Sequence, residues 1–177
     1  MKLVYPISIE GGPSSTGSYI LMLEEPESGR RIPIVIGEHE AHAILIAKGM
    51  VPTGRPMTHR LMVDLMDNYG ISLDSASIDR VADGIFYATL HTTDGFNPKD
   101  IDSRTTDAVT LTLLCNAPLY VADSVLDECG TAATPAEKMP EVHTIESLER
   151  ELQRCEETED YERAAEIQEQ INKMRNE

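Results

Sequence analysis

Arg55, Thr58 and His59 lie within one short stretch, GRPMTHRLMVDLMDN, at the mouth of an apolar-periodic segment. Asp102, Ser103, Arg104, Thr106 and Asp107 do the same in IDSRTTDAVTLTLLCNAPLYV. A histidine supplies acid–base chemistry near neutral pH, arginines grip anions through fixed forks of N–H donors, and carboxylates hold hard divalent cations. Two such helix starts in one small domain can share a site. A third polar run, IVIGEHEAHAI, adds Glu40 between His39 and His42.

The elements that must position these groups are legible from periodicity. Leu3 to Ile9 and Ser18 to Leu23 read as strands separated by EGGPSSTG, and a turn from Glu24 to Arg31 leads into a third strand, Ile32 to Ile36. Pro33 has no N–H, so that strand is expected to pair on one side there or to sit at an edge. Gly37 ends it, and Glu38 to Lys48 has helical spacing. Thr58 is expected to cap a helix through Asn68 whose apolar face is Leu61, Met62, Leu65 and Met66, with Gly70 closing its C-terminal end.

Ile71 to Ile78 and Ile85 to Thr92 then form a hairpin about Asp83-Gly84, a favoured tight-turn pair. A turn at Asp94-Gly95 precedes a short strand ending near Ile101-Asp102. A helix from about Thr106 to Cys115 follows, stopped by Asn116-Ala117-Pro118, and Leu119 to Val121 and Asp123 to Cys129 give a last strand and helix. The order implies an α+β domain with a mixed, largely antiparallel sheet and packed helices. The methionines are expected to fill core gaps.

The 177 residues suffice for one well-buried domain and a small appendage. The domain is expected over residues 1–130, followed by a linker at 131–143, GTAATPAEKMPEVH in its setting, and an antiparallel helical hairpin at 144–177. In that hairpin Ile145, Leu148, Leu152 and Cys155 form one stripe, and Tyr161, Ala164, Ala165, Gln168, Ile171 and Met174 the facing one. No apolar run approaches the ~20 residues that span a bilayer, and the first residues do not read as a secretory signal. Three cysteines without a CxxC pair fit a reducing cytoplasm rather than a disulfide framework.

Net charge is −16, from 15 basic and 31 acidic residues. Residues 141–177 contribute 12 acidic and 5 basic groups, net −7, which leaves 19 and 10, net −9, for the rest. That balance opposes a broad nucleic-acid surface, because such affinity rests on neutralising phosphates. A site acting on polyanions needs a local basic pocket or bound cations.

Five ordered elements, PIVIGEHEA, RPMTH, DGIFYATLH, IDSRTTDAV and APLYVADSVLDECG, closely resemble the bifunctional nuclease (BFN) family over residues 1 to about 130. The resemblance implies an α+β fold, a homo-oligomer and hydrolysis of phosphodiester bonds in DNA and RNA. Where that family usually has an aromatic residue, this chain has His39. The hairpin segment, through DYERAAEIQEQI, resembles the UVR motif and implies a protein partner.

For phosphodiester hydrolysis, Asp102, Asp107, Arg104 and His59 are the catalytic candidates. Glu40, Asp102 and Asp107 would hold Mg²⁺ or Mn²⁺, and Arg55, Thr58, Ser103 and Thr106 would bind substrate. Each has a structural alternative. Asp102 to Asp107 also fits a helix-capping and ion-pair network, and for His59 a helix-start role weighs more than catalysis. His39 and His42 are spaced i, i+3 rather than as HExxH, which favours a surface pair over a metal site. The reading from another class is a regulatory adaptor that binds a ligand or protein and recruits a repair or proteolysis complex.

Overall fold

A computed structural model describes residues 1–11 and 18–132. The chain divides into two units, Met1–Thr134 and Pro135–Glu177, and every described residue belongs to the first. Most of the expected turn after Glu10, the linker from residue 133 onward and the UVR-like hairpin with Cys155 lie outside the described residues.

The first strands, β1 (Lys2–Glu10), β2 (Ser18–Glu25) and β3 (Arg30–Gly37), form an antiparallel meander. Its second turn is closed by Glu25, whose carboxylate accepts the backbone N–H groups of Glu27 and Ser28 at 2.9 and 2.8 Å. Pro33 stands opposite Met22 on β3, and β3 is an edge of the sheet, as the missing N–H requires.

Helices α1 (Glu38–Ala47) and α2 (Thr58–Asn68) follow. The hairpin β4 (Ser72–Ala82) and β5 (Ile85–Thr93) turns at Asp83 and Gly84, both in the left-handed region at φ 52° and 75°. Strand β6 (Pro98–Arg104) runs directly into α3 (Thr105–Cys115), and β7 (Leu119–Val121) and α4 (Asp123–Cys129) complete the unit.

Among the described residues these strands make one seven-stranded sheet in the order β3-β2-β1-β7-β4-β5-β6. All neighbouring pairs are antiparallel except β4 with β7. After β6, α3 crosses over and returns the chain to β7, between β1 and β4. The expected α+β fold with a mixed, mostly antiparallel sheet is therefore the observed one.

The core collects Val4, Leu21, Leu23, Ile32, Ile44, Ile78, Val109, Leu111 and Val121. Burying each such side chain contributes roughly 1.5–3 kcal/mol. α3 is the central helix and also buries Thr110 and Thr112. Their hydroxyls donate to the Thr106 and Val109 carbonyls at 2.7 and 2.9 Å, which offsets their desolvation.

Three expectations are corrected. Met57, not Thr58, occupies the N-cap of α2, and no side chain bonds the first-turn N–H groups there. The expected apolar face of α2 points the wrong way: Leu61, Met62 and Leu65 are exposed, while Val63 is buried and Met66 packs against the core. Hydrophobicity marked the stripe, but the attachment of α2 to α3 selected a different one. Met1, Met50, Met57 and Met62 are exposed rather than core fillers.

Candidate active site

Three helix beginnings converge on one pocket. Gly37 precedes α1, Met57 precedes α2 and Arg104 precedes α3, each in extended conformation, and none of the three helices has a side-chain cap hydrogen bond. The pocket, of about 260 Å³, is lined by His39 and Glu40 of α1, Thr58 and His59 of α2, and Arg104, Thr106 and Asp107 at the start of α3. Ala43, Ile46 and Leu114 give it an apolar wall. Its volume is below the ~300–1,000 Å³ typical of drug-sized ligands.

Arg104 organises the polar side. Its Nε and Nη2 donate to Asp107 Oδ2 and Oδ1 at 2.8 and 3.0 Å, a bidentate pair, and Nη1 donates to Glu40 Oε1 at 3.0 Å. His59 Nε2 lies 3.0 Å from Asp107 Oδ1. One carboxylate thus holds an arginine at the end of β6 and an imidazole of α2.

Burial of Asp107 works against its ionisation. The hydrogen bonds from Arg104 and His59, with the Arg104 charge, outweigh it and hold the carboxyl below the usual aspartate value. Asp107 in turn pushes Arg104 above the ordinary arginine value, with Glu40 assisting. Since Asp107 is ionised, His59 Nε2–H is the donor between them, which leaves Nδ1 as the basic atom of a neutral imidazole. Arg104 remains 66% exposed, with three of its five N–H donors engaged, so two can still meet an incoming anion.

Glu40, Thr58, His59, Arg104, Thr106 and Asp107 all line this pocket. The rest of the expected set does not join them. Asp102 is exposed on β6 opposite Thr89, Ser103 donates to the Arg104 carbonyl, and Arg55 is exposed on the α1–α2 loop; none lines the pocket. Strand alternation and a helix N-terminus together separate Asp102 from Asp107.

Of the capping and ion-pair alternative, the ion pair is present, since Asp107 in the first turn of α3 pairs with Arg104 three residues earlier, whereas no side chain caps the helix. Network and site are the same atoms.

The trio Glu40, Asp102 and Asp107 does not fit a divalent cation. Both Asp107 oxygens and one Glu40 oxygen already face a guanidinium, and Asp102 lies elsewhere. Among the described residues no group of three or more His, Cys, Asp or Glu side chains is arranged to hold a metal.

His39 and His42 are both exposed, as a surface pair is. With Ala43 and Ile46 they fall at i, i+3, i+4 and i+7, and all four line the pocket. That spacing is a single helix face and was the available signal. Thr105 Oγ1, buried at the first position of α3, has no hydrogen-bond partner among the described residues. No helix among the described residues is long and apolar enough to cross a membrane.

Residues 21–134 match the bifunctional nuclease domain, and residues 144–177 match the UvrB/uvrC motif. Two proteins of Mycobacterium tuberculosis, one from each of two strains and both described as uncharacterized, are each 35% identical to the chain over 111 residues. The matched stretch covers 63% of this chain and 66% of each relative's own length.

Proposed function

We propose that this chain, which belongs to the bifunctional nuclease domain family, hydrolyses phosphodiester bonds of DNA and RNA in the pocket where α1, α2 and α3 begin. The observation that carries the reading is the His59–Asp107–Arg104 constellation at the starts of α2 and α3, beside that of α1, none of which has a side-chain cap. Helix N-termini favour anions through their N–H groups and dipoles, which supplies a local attraction inside a chain of net charge −16.

A phosphate enters against the two free Arg104 N–H groups. His59 Nδ1 takes a proton from a water molecule as its oxygen attacks phosphorus, and Asp107 stabilises the imidazolium that forms. Arg104 stabilises the charge that builds on the phosphoryl oxygens. As the P–O bond to the leaving group breaks, that oxygen takes a proton from solvent water on the α1 side, where His39 and His42 line the wall, and His59 returns its proton to solvent. The products are one phosphomonoester end and one hydroxyl end. No step runs through a divalent metal.

The UvrB/uvrC motif over residues 144–177 suggests protein interaction, and we place the chain in the cytoplasm with a protein partner recruited by that motif. Cys115 and Cys129 are free thiols, compatible with a reducing compartment.

A second reading, a non-catalytic adaptor, draws on one observation: Arg104 is already matched by two carboxylates, so the pocket could serve as a structural clamp. Purified full-length chain separates the two. Cleavage of labelled single- and double-stranded DNA and RNA should persist in excess EDTA and vanish in folded His59→Ala. Cleavage that survives His59→Ala, or none from the wild-type chain with or without Mg²⁺ or Mn²⁺, refutes the nuclease assignment at this pocket.

A further inference from the structure

Apart from its imidazoles, the pocket where α1, α2 and α3 begin is lined by four charged side chains, and their charges cancel: Arg60 and Arg104 against Glu40 and Asp107. Arg60 is also bonded to Asp64 at 2.9 Å, and Arg104 is shared between Asp107 and Glu40 at 2.8 and 3.0 Å. A polyanion therefore meets no net positive charge from these groups, in a chain of net charge −16. The helix N-termini add partial charge only.

The other ionisable groups of the lining are imidazoles. His39 and His42 stand one turn apart on α1, and both are exposed. Neither has a hydrogen-bond or ion-pair partner among the described residues. His59 differs, because its Nε2 is held 3.0 Å from Asp107. Histidine changes charge near neutral pH, and an imidazolium donates from both ring nitrogens.

We propose that His39 and His42, as imidazolium groups, bind phosphate groups of the substrate on the α1 side of the pocket, so that affinity for the polyanion rises as pH falls. The inference rests on the reading of this pocket as a phosphodiester site. Protonating the pair brings two positive charges to a lining whose other charges cancel, and charge-assisted bonds to phosphate are roughly twice as strong as neutral ones.

The charged and titratable groups around the pair come from three elements: Glu38 and Glu40 on α1, His59 and Arg60 on α2, and Arg104 with Asp107 where β6 meets α3. Glu38 does not line the pocket. Glu40, His59, Arg104 and Asp107 bond one another, and Arg60 bonds Asp64. None of them bonds His39 or His42, so both imidazoles are open to a ligand.

Binding and chemistry then respond to pH in opposite ways. His59 accepts a proton from water only when neutral, whereas the α1 pair holds phosphate only when charged. Lowering the pH should reduce KM and kcat together.

Calorimetry of the full-length chain with a thymidine trinucleotide tests the proposal. Phosphorothioate linkages make this probe resistant to hydrolysis, and its charge is constant across the range in which imidazoles titrate. Wild-type affinity should be at least about tenfold higher at about pH 6 than at about pH 8, as linked proton uptake requires. The double variant His39→Gln/His42→Gln should keep no more than about threefold of that gain, yet bind as the wild-type chain does at about pH 8, where the imidazoles are uncharged. The same trinucleotide with neutral methylphosphonate linkages should show no gain. Thermal melts establish that the variant is folded.

No binding of the phosphorothioate at about pH 6, an affinity indifferent to pH, a gain that survives in the double variant, or an equal loss at both pH values would overturn the assignment. The cleavage test at His59 is separate. Cleavage with a pH-indifferent affinity removes only the imidazolium site, whereas the predicted affinities without cleavage keep that site and remove the nuclease.

Discussion

Glu40 folds back over Gly37 so closely that a β-carbon at position 37 would lie 2.6 Å from Glu40 Oε2. The glycine is not needed for its backbone angle, since φ is −83°. What it leaves is room for the end of the Glu40 side chain. Its absent side chain lets Glu40 stay beside the start of α1 and bond Arg104.

Gly37→Ala should therefore displace the Glu40 carboxylate while costing only about 0.5–1 kcal/mol, the order of a weakened helix cap. A crystal structure of the variant should show the 3.0 Å contact between Glu40 and Arg104 Nη1 broken. If that contact persists unchanged, the spatial argument for Gly37 fails.

Asp107→Asn should lower cleavage about 100-fold or more, the usual scale of an acid–base contribution. Its effect on stability should be within roughly 1 kcal/mol, because the Arg104 side it loses is solvent-screened. Initial rates beside a denaturation curve decide between site and scaffold. A large fall in stability with full cleavage would assign the ion pair to structure alone.

Acid should act through the same carboxyl. The folded-state value of Asp107 lies below its unfolded one. Its stabilising contribution is thus complete above the ordinary aspartate value of about 3.9 and is lost as pH falls through the lowered folded value. Stability curves of the wild-type chain and Asp107→Asn should run apart at neutral pH and converge in that acidic window. Curves that stay parallel to the acid limit would remove Asp107 from the titration.

Thr105→Val keeps the shape of the buried first residue of α3 and removes a hydroxyl that has no partner among the described residues. An unmatched buried polar group costs on the order of 1–3 kcal/mol, so the variant should be as stable as the wild-type chain or more so. Urea denaturation measures this. A clear loss would mean that the hydroxyl is bonded in solution.

Removing residues 135–177 should leave a single cooperative thermal transition, since the core described above lies wholly within Met1–Thr134. The same truncation should abolish partner recovery in a pull-down, given the motif match over 144–177. Loss of the cooperative transition would show that the two segments do not fold separately.

Local chemistry carried most of the fold. Pro33 announced an edge strand, Asp83-Gly84 a tight hairpin and Gly70, at φ 67°, the end of α2, because each depends on a backbone preference confined to one or two residues. Alternation and 3.6-residue spacing likewise placed every strand and helix of the described domain to within a few residues.

Which face each helix buries was not local. α2 offers Val63 and Met66 on one side and Leu61 and Leu65 on the other, and periodicity ranks the larger stripe first. Only the position of α3 beneath it decides. The site divides the same way. Residue types within the family-like motifs nominated Glu40, His59, Arg104 and Asp107, but they are up to 67 positions apart in the chain. Tertiary structure brought them together and left Asp102 outside, because β6 ends and α3 begins at Arg104, and the change of backbone direction there turns Asp107 inward while Asp102 remains on the strand.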